Sequence, residues 1–216
     1  MNRDLTDYRK SYDKKALEEN ELPVSPFLLF SNWFKEVEEA GGVEETNAMS
    51  LTTFGLDSYP KTRIVLLKHF DEEGFVFYTN YESEKGKAMA ANNKVCISFF
   101  WPNLERQVII KGVVNRISEQ KSSDYFNSRP RGSQLGAWAS EQSSIVESRA
   151  FLESKLLALE EKYKEKEIPK PDFWGGYCVT PVEFEFWQGR PNRLHDRIRY
   201  AQQQKGNNWV TNRLSP

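Results

Sequence analysis

"AMSLTTFGLDSYPKTRIVLLKHFDEEGFVFYTN", residues 48–80, alternates apolar and polar positions between small groups of turn-forming residues. Successive side chains of a β-strand point to opposite faces, so a period of two marks half-buried strands. The pieces "AMSLTTFG", "KTRIVLLKHF" and "FVFYTN" are joined by the turns "DSYP" and "DEEG", which leave no room for a helical crossover. They read as consecutive antiparallel strands. The pattern continues downstream in "KVCISFFW", a "PNLE" turn and "RQVIIKGVVNRIS", where Gly112 in mid-strand suggests a bulge or bend.

Helical spacing flanks these strands. In "SPFLLFSNWFKEVEEAGG", Ser25 can cap and Pro26 suits the first turn. Phe27, Phe30, Phe34 and Val37 recur on one face, Trp33 stands beside them, and Gly41 ends the run. "SEKGKAMAANN" reads as a short polar helix ending at Asn92 and Asn93. Residues 119–166 read as helical in three pieces, "EQKSSDYFNSRP", "SQLGAWAS" and "SSIVESRAFLESKLLALEEKYKEKE", with Pro169 and Pro171 closing the block. "WGGYCVTP", "VEFEFWQG", "RLHDRIRY" and "NWVTNRL" read as short closing strands. Strands in both halves with helices inserted predict an α+β protein on a closed or split antiparallel β-barrel. A doubly wound sheet is disfavoured, because strands and helices do not alternate. Residues 1–22 are polar and read as an extended or partly disordered arm, and 23–216 as a single domain.

The totals exclude several classes of function. A formal charge of −1 and a pI of about 6.2 give no reason to expect nucleic acid or an anionic membrane as partner. Any basic cluster must then be local and suited to a small anion. Aromatic residues make up 13%, with six Trp, which suits flat walls for ring-shaped ligands as well as a core. Cys96 and Cys178 have no metal or redox spacing and read as buried free thiols in a reducing compartment. The charged N-terminus has no apolar signal region and no stretch could span a bilayer, so a soluble cytoplasmic protein is expected. There is no phosphate-binding Walker loop, no GxGxxG and no GxSxG elbow, and His69 and His195 cannot make a His-rich metal site.

What remains is a scattered set of cations and hydroxyls at strand ends and loop starts. Arg63 and Lys68, five apart, fall on opposite faces of a regular strand. Tyr78 and Thr79 end a strand, and Ser83 and Lys85 open a helix. That is either a cap with a surface lysine or a phosphate cradle of free N–H groups, hydroxyl and cation. Gln107 could bond the edge of a heterocycle or point outward. Tyr125, Arg129 and Ser133 are spaced by four but interrupted by Pro130, so they would converge from a helix end and the next loop. Arg, Ser and Tyr together suit a phosphate monoester. Ser143 or Ser144 could cap the long helix, or Gln142 and Ser143 could offer donors to an anion. In "EFWQGRPNRLHDRIRY", Trp187 ends an aromatic strand. Arg193, His195 and Arg197 alternate on one face, with Leu194 and Asp196 on the other. That face is either a charge-guarded edge strand or a seat for an anion or an electron-rich ring. Together the residues suggest two phosphorylated flat molecules, such as a flavin mononucleotide and a phosphorylated ring substrate.

The blocks "RIVLLKHF", "FVFYTN", "ERQVIIKG", "YFNSRPRGSQLGAW", "SEQSS", "FWGGY", "EFWQG" and "RLHDR", in this order from about residue 8 to the C-terminal "RLSP", resemble the pyridoxine/pyridoxamine phosphate oxidases. The resemblance implies an FMN-binding split barrel with surrounding helices and a homodimer with FMN at the subunit interface. It also implies oxidation of pyridoxamine 5'-phosphate and pyridoxine 5'-phosphate by O2 to pyridoxal 5'-phosphate, releasing H2O2, and ammonia from the amine. Residue by residue, Arg63, Lys85, Gln142 and Ser143 would hold the FMN phosphate and ribityl end, with Ile64, Val65, Leu66 and Lys68 along the same segment. Tyr78, Thr79 and Gln107 would contact the flavin, and Trp187 and Arg197 would complete its site. Lys68, Tyr125, Arg129 and Ser133 would bind the substrate phosphate. Arg193 and His195 would lie over the substrate ring, and with Arg197 near the flavin they form the expected catalytic set. Arg9 and Tyr12 match an arm segment that closes over the substrate. One departure stands out: Glu84 replaces a basic residue that helps hold the FMN phosphate in many members. A carboxylate there would repel a phosphate if it pointed inward, so Glu84 is expected to face solvent. The rivals are a split-barrel flavin reductase with another substrate, or a carrier or sensor of FMN or pyridoxal phosphate.

Overall fold

The computed structural model describes residues 3–203 and 208–216; Met1 and Asn2 of the expected arm lie outside the described residues. Strands β1 (Ala48–Phe54), β2 (Pro60–Leu66), β3 (His69–Asp71) and β4 (Gly74–Asn80) form where the alternation predicts strand, with one change. The run 61–70 is two strands. Leu67 turns inward at 4% exposure directly after the half-buried Leu66, which breaks the period of two. Lys68 stands in the gap, donating its backbone N–H to Val76 O at 2.8 Å. Arg63 and Lys68 are thus not opposite faces of one regular strand.

Strands β5 (Lys94–Trp101) and β6 (Arg106–Arg116) follow as expected. Gly112 is explained by close approach: a Cβ there would lie 2.6 Å from Thr180 O. The expected strands "WGGYCVTP" and "VEFEFWQG" are one 15-residue strand, β7 (Trp174–Gln188). Its first part pairs antiparallel with β4, from Phe75↔Val179 to Asn80↔Trp174. Its last part pairs with β8 (Asp196–Gln202), from Glu183↔Ala201 to Gln188↔Asp196. Pro181, which read as a strand end, falls between these two ladders, where its missing N–H costs neither a bond. β9 (Trp209–Arg213) pairs with β8. The strand order is β2-β1-β5-β6-β7-β4-β3, with β8 on β7, and the fold is the expected α+β antiparallel split barrel.

Contacts divide the chain into two compact units that share strands β1, β5, β6 and β7 by chain continuity. The arm unit comprises residues 1–49, 97–111 and 181–216. Its helix α1 (Pro26–Ala40) runs from Pro26 at the first turn to Gly41, whose φ of 64° suits a residue without a Cβ. Leu29, Phe30, Trp33 and Val37 are its buried face. Phe30 meets Phe99 at 5.1 Å and Trp33 meets Phe186 at 5.3 Å, both edge to face. Each such ring adds about 1.5–3 kcal/mol of burial.

The helical unit comprises residues 50–96 and 112–180. It holds α2 (Glu84–Ala91), α3 (Glu119–Ser128), α4 (Arg131–Ala139) and α5 (Arg149–Tyr163). Phe126, Leu135, Tyr163, Ile168 and Trp174 form its buried cluster. α5 starts later than the sequence suggests. Ser148, not Ser143 or Ser144, caps it, accepting the Phe151 N–H at 3.1 Å. Ser143 sits outside the helix with a left-handed φ of 76°.

Candidate active site

A cavity of about 610 Å³ opens in the helical unit. Tertiary contact, rather than sequence neighbourhood, brings Ile64, Val65, Leu66, Lys68, Tyr78, Thr79, Lys85, Tyr125, Arg129, Ser133 and Gln142 to its wall. All of the residues just named were anticipated from the sequence. Asn80, Gly136, Ser140 and Trp174 also line it and were not singled out. The signal for Trp174 was available in "FWGGY": an aromatic opening a strand before two glycines. Gly175 and Gly176 have no room for a Cβ, which would come within 2.0 Å of the Tyr81 hydroxyl and 2.4 Å of Ile117 Cδ1 respectively. Tyr78 stacks on Tyr125 at 3.8 Å and on Trp174 at 5.5 Å, giving a flat aromatic wall.

One cation cluster lies at the start of α2. Ser83 caps this helix, accepting the Gly86 N–H at 3.3 Å. Lys85 Nζ donates to Gln142 Oε1 at 3.0 Å and to Thr79 Oγ1 at 3.2 Å, and Thr79 Oγ1 itself donates to Gln142 Oε1 at 3.0 Å. Burial, and then the charge of Arg63, push the Lys85 ammonium down to about 8, with Glu84 opposing. A cation made costly in this way gains most when an anion arrives. Arg63 does not line the cavity. Its guanidinium is pinned by Thr53 Oγ1 at 2.8 Å and Leu51 O at 3.2 Å, and burial lowers its pKa. Ser143 is exposed and also stands off the wall, next to Gln142. Glu84 is exposed as expected, and both its oxygens accept from Lys61 Nζ, at 2.7 and 2.6 Å.

The other cluster comes from the α3–α4 corner. Arg129 caps α3, Ser133 lies in the first turn of α4, and Tyr125 lies one turn before the corner. The Arg129 guanidinium stands 4.7 Å over the Trp174 ring, and burial lowers its pKa against the opposing effect of Tyr125. Its Nη1 is buried without a hydrogen-bond partner among the described residues. A buried donor left unsatisfied costs about 1–3 kcal/mol, and more when charged, so an oxyanion is the natural complement. Lys68, exposed at the rim, has no ion-pair partner among the described residues.

A separate cavity of about 660 Å³ lies in the arm unit, lined by Arg9, Tyr12, Trp187, Arg190, Arg193 and His195 among others. Tyr12 meets Trp187 edge-on at 5.6 Å and His195 at 5.7 Å, and Trp187 and His195 lie 4.8 Å apart. His195 Nδ1 accepts the Arg190 backbone N–H at 3.1 Å. Burial and then Arg193 hold the imidazole below its ordinary pKa, while Asp196 opposes. A neutral ring whose Nδ1 accepts must carry its proton on Nε2, so His195 offers a neutral donor.

The alternating face read into "RLHDR" needs correction. β8 begins only at Asp196, and Pro191–Arg193 is a 3-10 turn. Asn192 and Arg193 are left-handed, with φ of 57° and 61°, a strain of about 1–3 kcal/mol each. Carboxylates relieve much of the expected repulsion. Buried Asp196 accepts from Arg190 Nη1 at 2.8 Å and Arg213 Nη1 at 2.6 Å, which gives Arg190 a structural role. Arg197 donates to Glu185 Oε1 and to Ser215 O, each at 2.8 Å, and Glu185 raises its pKa. Arg193 is exposed, with no ion-pair partner among the described residues. Gln107 is half-buried on β6 and lines neither of these cavities.

Residues 35–163 match the family model described as pyridoxamine 5'-phosphate oxidase, and residues 174–216 match the pyridoxine 5'-phosphate oxidase C-terminal dimerisation region. The pyridoxine/pyridoxamine 5'-phosphate oxidase of Flavobacterium johnsoniae is 58% identical over 98% of this chain and 99% of its own length. That of Christiangramia forsetii is 56% identical over the full length of both. Among solved structures, PhzG from Burkholderia lata, in complex with tetrahydrophenazine-1-carboxylic acid, superposes with a TM-score of 0.87 at 27% identity. That match covers 96% of this chain and all of PhzG. A pyridoxamine 5'-phosphate oxidase-related, FMN-binding protein from Nostoc punctiforme shares the fold, with a TM-score of 0.71 at 14% identity over 90% of this chain and all of its own.

Proposed function

This chain belongs to the pyridoxine/pyridoxamine 5'-phosphate oxidase family, and on that premise we propose how its residues divide the work of an FMN-dependent oxidase. The enzyme oxidises pyridoxamine 5'-phosphate and pyridoxine 5'-phosphate to pyridoxal 5'-phosphate. The proposed oxidant is O2, with H2O2 as by-product and ammonia released from the amine. The observation that carries the reading is a single cavity with a stacked aromatic wall and two cation clusters, one of them ending in the orphaned, buried Arg129 Nη1. A phosphorylated aromatic cofactor and a phosphorylated ring substrate suit this donor set.

FMN fits the residues present. Lys85, Thr79 and Gln142 would hold its phosphate and ribityl end, steadied by Arg63 and with Ser143 at the edge. Ile64, Val65, Leu66 and Tyr78 would flank its ring, with Gln107, Trp187 and Arg197 as further flavin contacts. When bound, FMN supplies the two-electron acceptor and the route to O2. Lys68, Tyr125, Arg129 and Ser133 grip the substrate phosphate by charge-assisted and hydroxyl bonds. Arg193, strained and unpaired, lies over the substrate ring with His195, whose Nε2–H donates to the polar substituents without adding charge. Arg197, held in place by Glu185, offsets negative charge that develops beside it. The arm, through Arg9 and Tyr12, covers the bound substrate and excludes water. The enzyme works as a homodimer with FMN at the subunit interface, in the cytoplasm.

The test is direct. The purified protein should be yellow, lose flavin absorbance on anaerobic addition of pyridoxamine 5'-phosphate, and release peroxide in air. Bound flavin without bleaching would favour a carrier or sensor, and bleaching only by a reduced nicotinamide would favour a reductase.

The Lys61–Glu84 pair makes a second expectation. Glu84→Arg removes a carboxylate acting on both Arg63 and Lys85 and frees Lys61 from its ion pair. FMN affinity of the apoprotein, followed by flavin fluorescence quenching, should rise about three- to tenfold at low salt and less at high salt. Unchanged or weaker binding would place position 84 outside the reach of the phosphate.

A further inference from the structure

We propose that Glu105 is the positioning residue that seats the N-terminal arm, holding Tyr12 against Trp187 and His195 through Lys10 and the backbone of Asp13 and Lys14. The inference rests on the reading of Tyr12 as a substrate contact. Glu105 ends the turn after β5, and its side chain is 1% exposed. Its Oε1 lies 3.0 Å from Lys10 Nζ. Its Oε2 accepts the backbone N–H groups of Asp13 at 3.0 Å and Lys14 at 3.3 Å. Donors from one five-residue stretch of the arm thus converge on a single buried carboxylate. Lys10 passes the connection on, since its Nζ also stands 5.5 Å over the Tyr12 ring.

The receiving surface is fixed from the other side. Glu105 O accepts the Gly189 N–H at 2.8 Å and Gln188 Nε2–H at 3.3 Å, which ties the turn to the end of β7. A Cβ on Gly189 would come within 2.7 Å of Tyr12 Cβ, so Tyr12 occupies the space a side chain there would need. Glu105 also has a left-handed φ of 57°, a conformation that glycine or asparagine adopts at less cost. Neither of those could present a carboxylate that reaches the arm. The arm needs such an anchor because it is polar. Residues 3–16 are exposed save for half-buried Tyr12, so little apolar burial opposes the entropy of ordering them.

The experiment compares the full-length holoenzyme with Glu105→Ala, Lys10→Ala, Tyr12→Ala and the double variant Glu105→Ala/Tyr12→Ala. Glu105→Ala and Lys10→Ala should each raise KM for pyridoxamine 5'-phosphate about tenfold, with kcat within about twofold and FMN affinity unchanged. Glu105→Gln, which keeps an acceptor for the N–H groups but not the ion pair, should fall between. Trypsin should cut after Lys14 or Lys15 faster than in the parent. The double variant should have no higher KM than Tyr12→Ala alone, because the two residues act in series. Lys10 is exposed, so its variant stands in if Glu105→Ala fails to fold. If Tyr12→Ala raises KM while Glu105→Ala and Lys10→Ala lower only kcat or melting temperature, Glu105 merely supports the fold and the proposal is wrong. Additive KM effects in the double variant also overturn it. A parental KM in Tyr12→Ala is a different failure: it removes the arm from the substrate site, and the seating role with it.

Discussion

Arg129→Ala is expected to lower kcat/KM for pyridoxamine 5'-phosphate by about two to three orders of magnitude while FMN stays bound. Truncating one partner of a buried charge pair costs about 2–5 kcal/mol, and each 1.4 kcal/mol is a factor of ten. The guanidinium is held at 4.7 Å over Trp174 with Nη1 unpartnered among the described residues, which leaves that donor open to a ligand. The same fact separates function from stability. Removing a buried donor that makes no bond in the free protein should leave the melting temperature nearly unchanged, or raise it slightly. Arg129→Lys keeps the charge but loses the planar fork, and should recover part of the activity, about tenfold above the alanine variant. Steady-state kinetics with the phosphorylated substrate, and FMN titration of the apoprotein, read out both quantities. A variant with parental KM and kcat would take Arg129 out of the phosphate site. One that loses FMN as well would assign it to the cofactor instead.

Gly86→Ala should be the most damaging methyl group in the molecule for cofactor binding. The added Cβ would stand 2.1 Å from Tyr81 O and 2.5 Å from Tyr81 C, both backbone atoms that no rotamer change can move. The first turn of α2 must then shift away from the end of β4, taking Ser83 and Lys85 with it. We expect a loss of about 2–3 kcal/mol in stability. That corresponds to a melting point lower by roughly 5–10 °C. Apoprotein affinity for FMN should fall more than tenfold, since displacement of a positioned binding group by about 1 Å is enough for such losses. Gly132→Ala is the matched control. Gly132 also lies in the first turn of a short helix, but a Cβ there meets nothing within 4 Å. Alanine at 132 should stabilise by up to about 1 kcal/mol through helix propensity. Thermal melts of both variants and flavin titrations decide the matter. Equal behaviour of the two glycines would show that α2 is free to move.

The contrast between these glycines marks where sequence reading stops. Both sit in polar helix starts, and nothing within a few residues of either distinguishes them. The difference is Tyr81 O, which the turn between β4 and α2 brings against Gly86. The reading of "RLHDR" stopped for the same reason. Alternation placed Arg193, His195 and Arg197 on one strand face, but the strand starts at Asp196, where partners from Arg190 and Arg213 tie that carboxylate down. Ser143 or Ser144 was the expected cap of the long helix, and the chain uses Ser148. Glu105, at the end of an ordinary "PNLE" turn, carried no local signal at all.

What the sequence by itself determined is the alternation of strands, the helix Pro26–Ala40 with its ends, and, through ordered motif blocks, the family and most of the cavity wall. These are legible because pleat, helical period and capping act over a few residues, and because motif blocks keep their spacing along the chain. Only the tertiary structure decided that Lys85 is desolvated beside Arg63, that Arg129 holds a bare buried N–H, that Glu84 is turned out onto Lys61, and that Glu105 holds the arm. Each of these depends on a partner distant in sequence, and all but the exposed Glu84–Lys61 pair on the burial of a charge; both are properties of the packed chain.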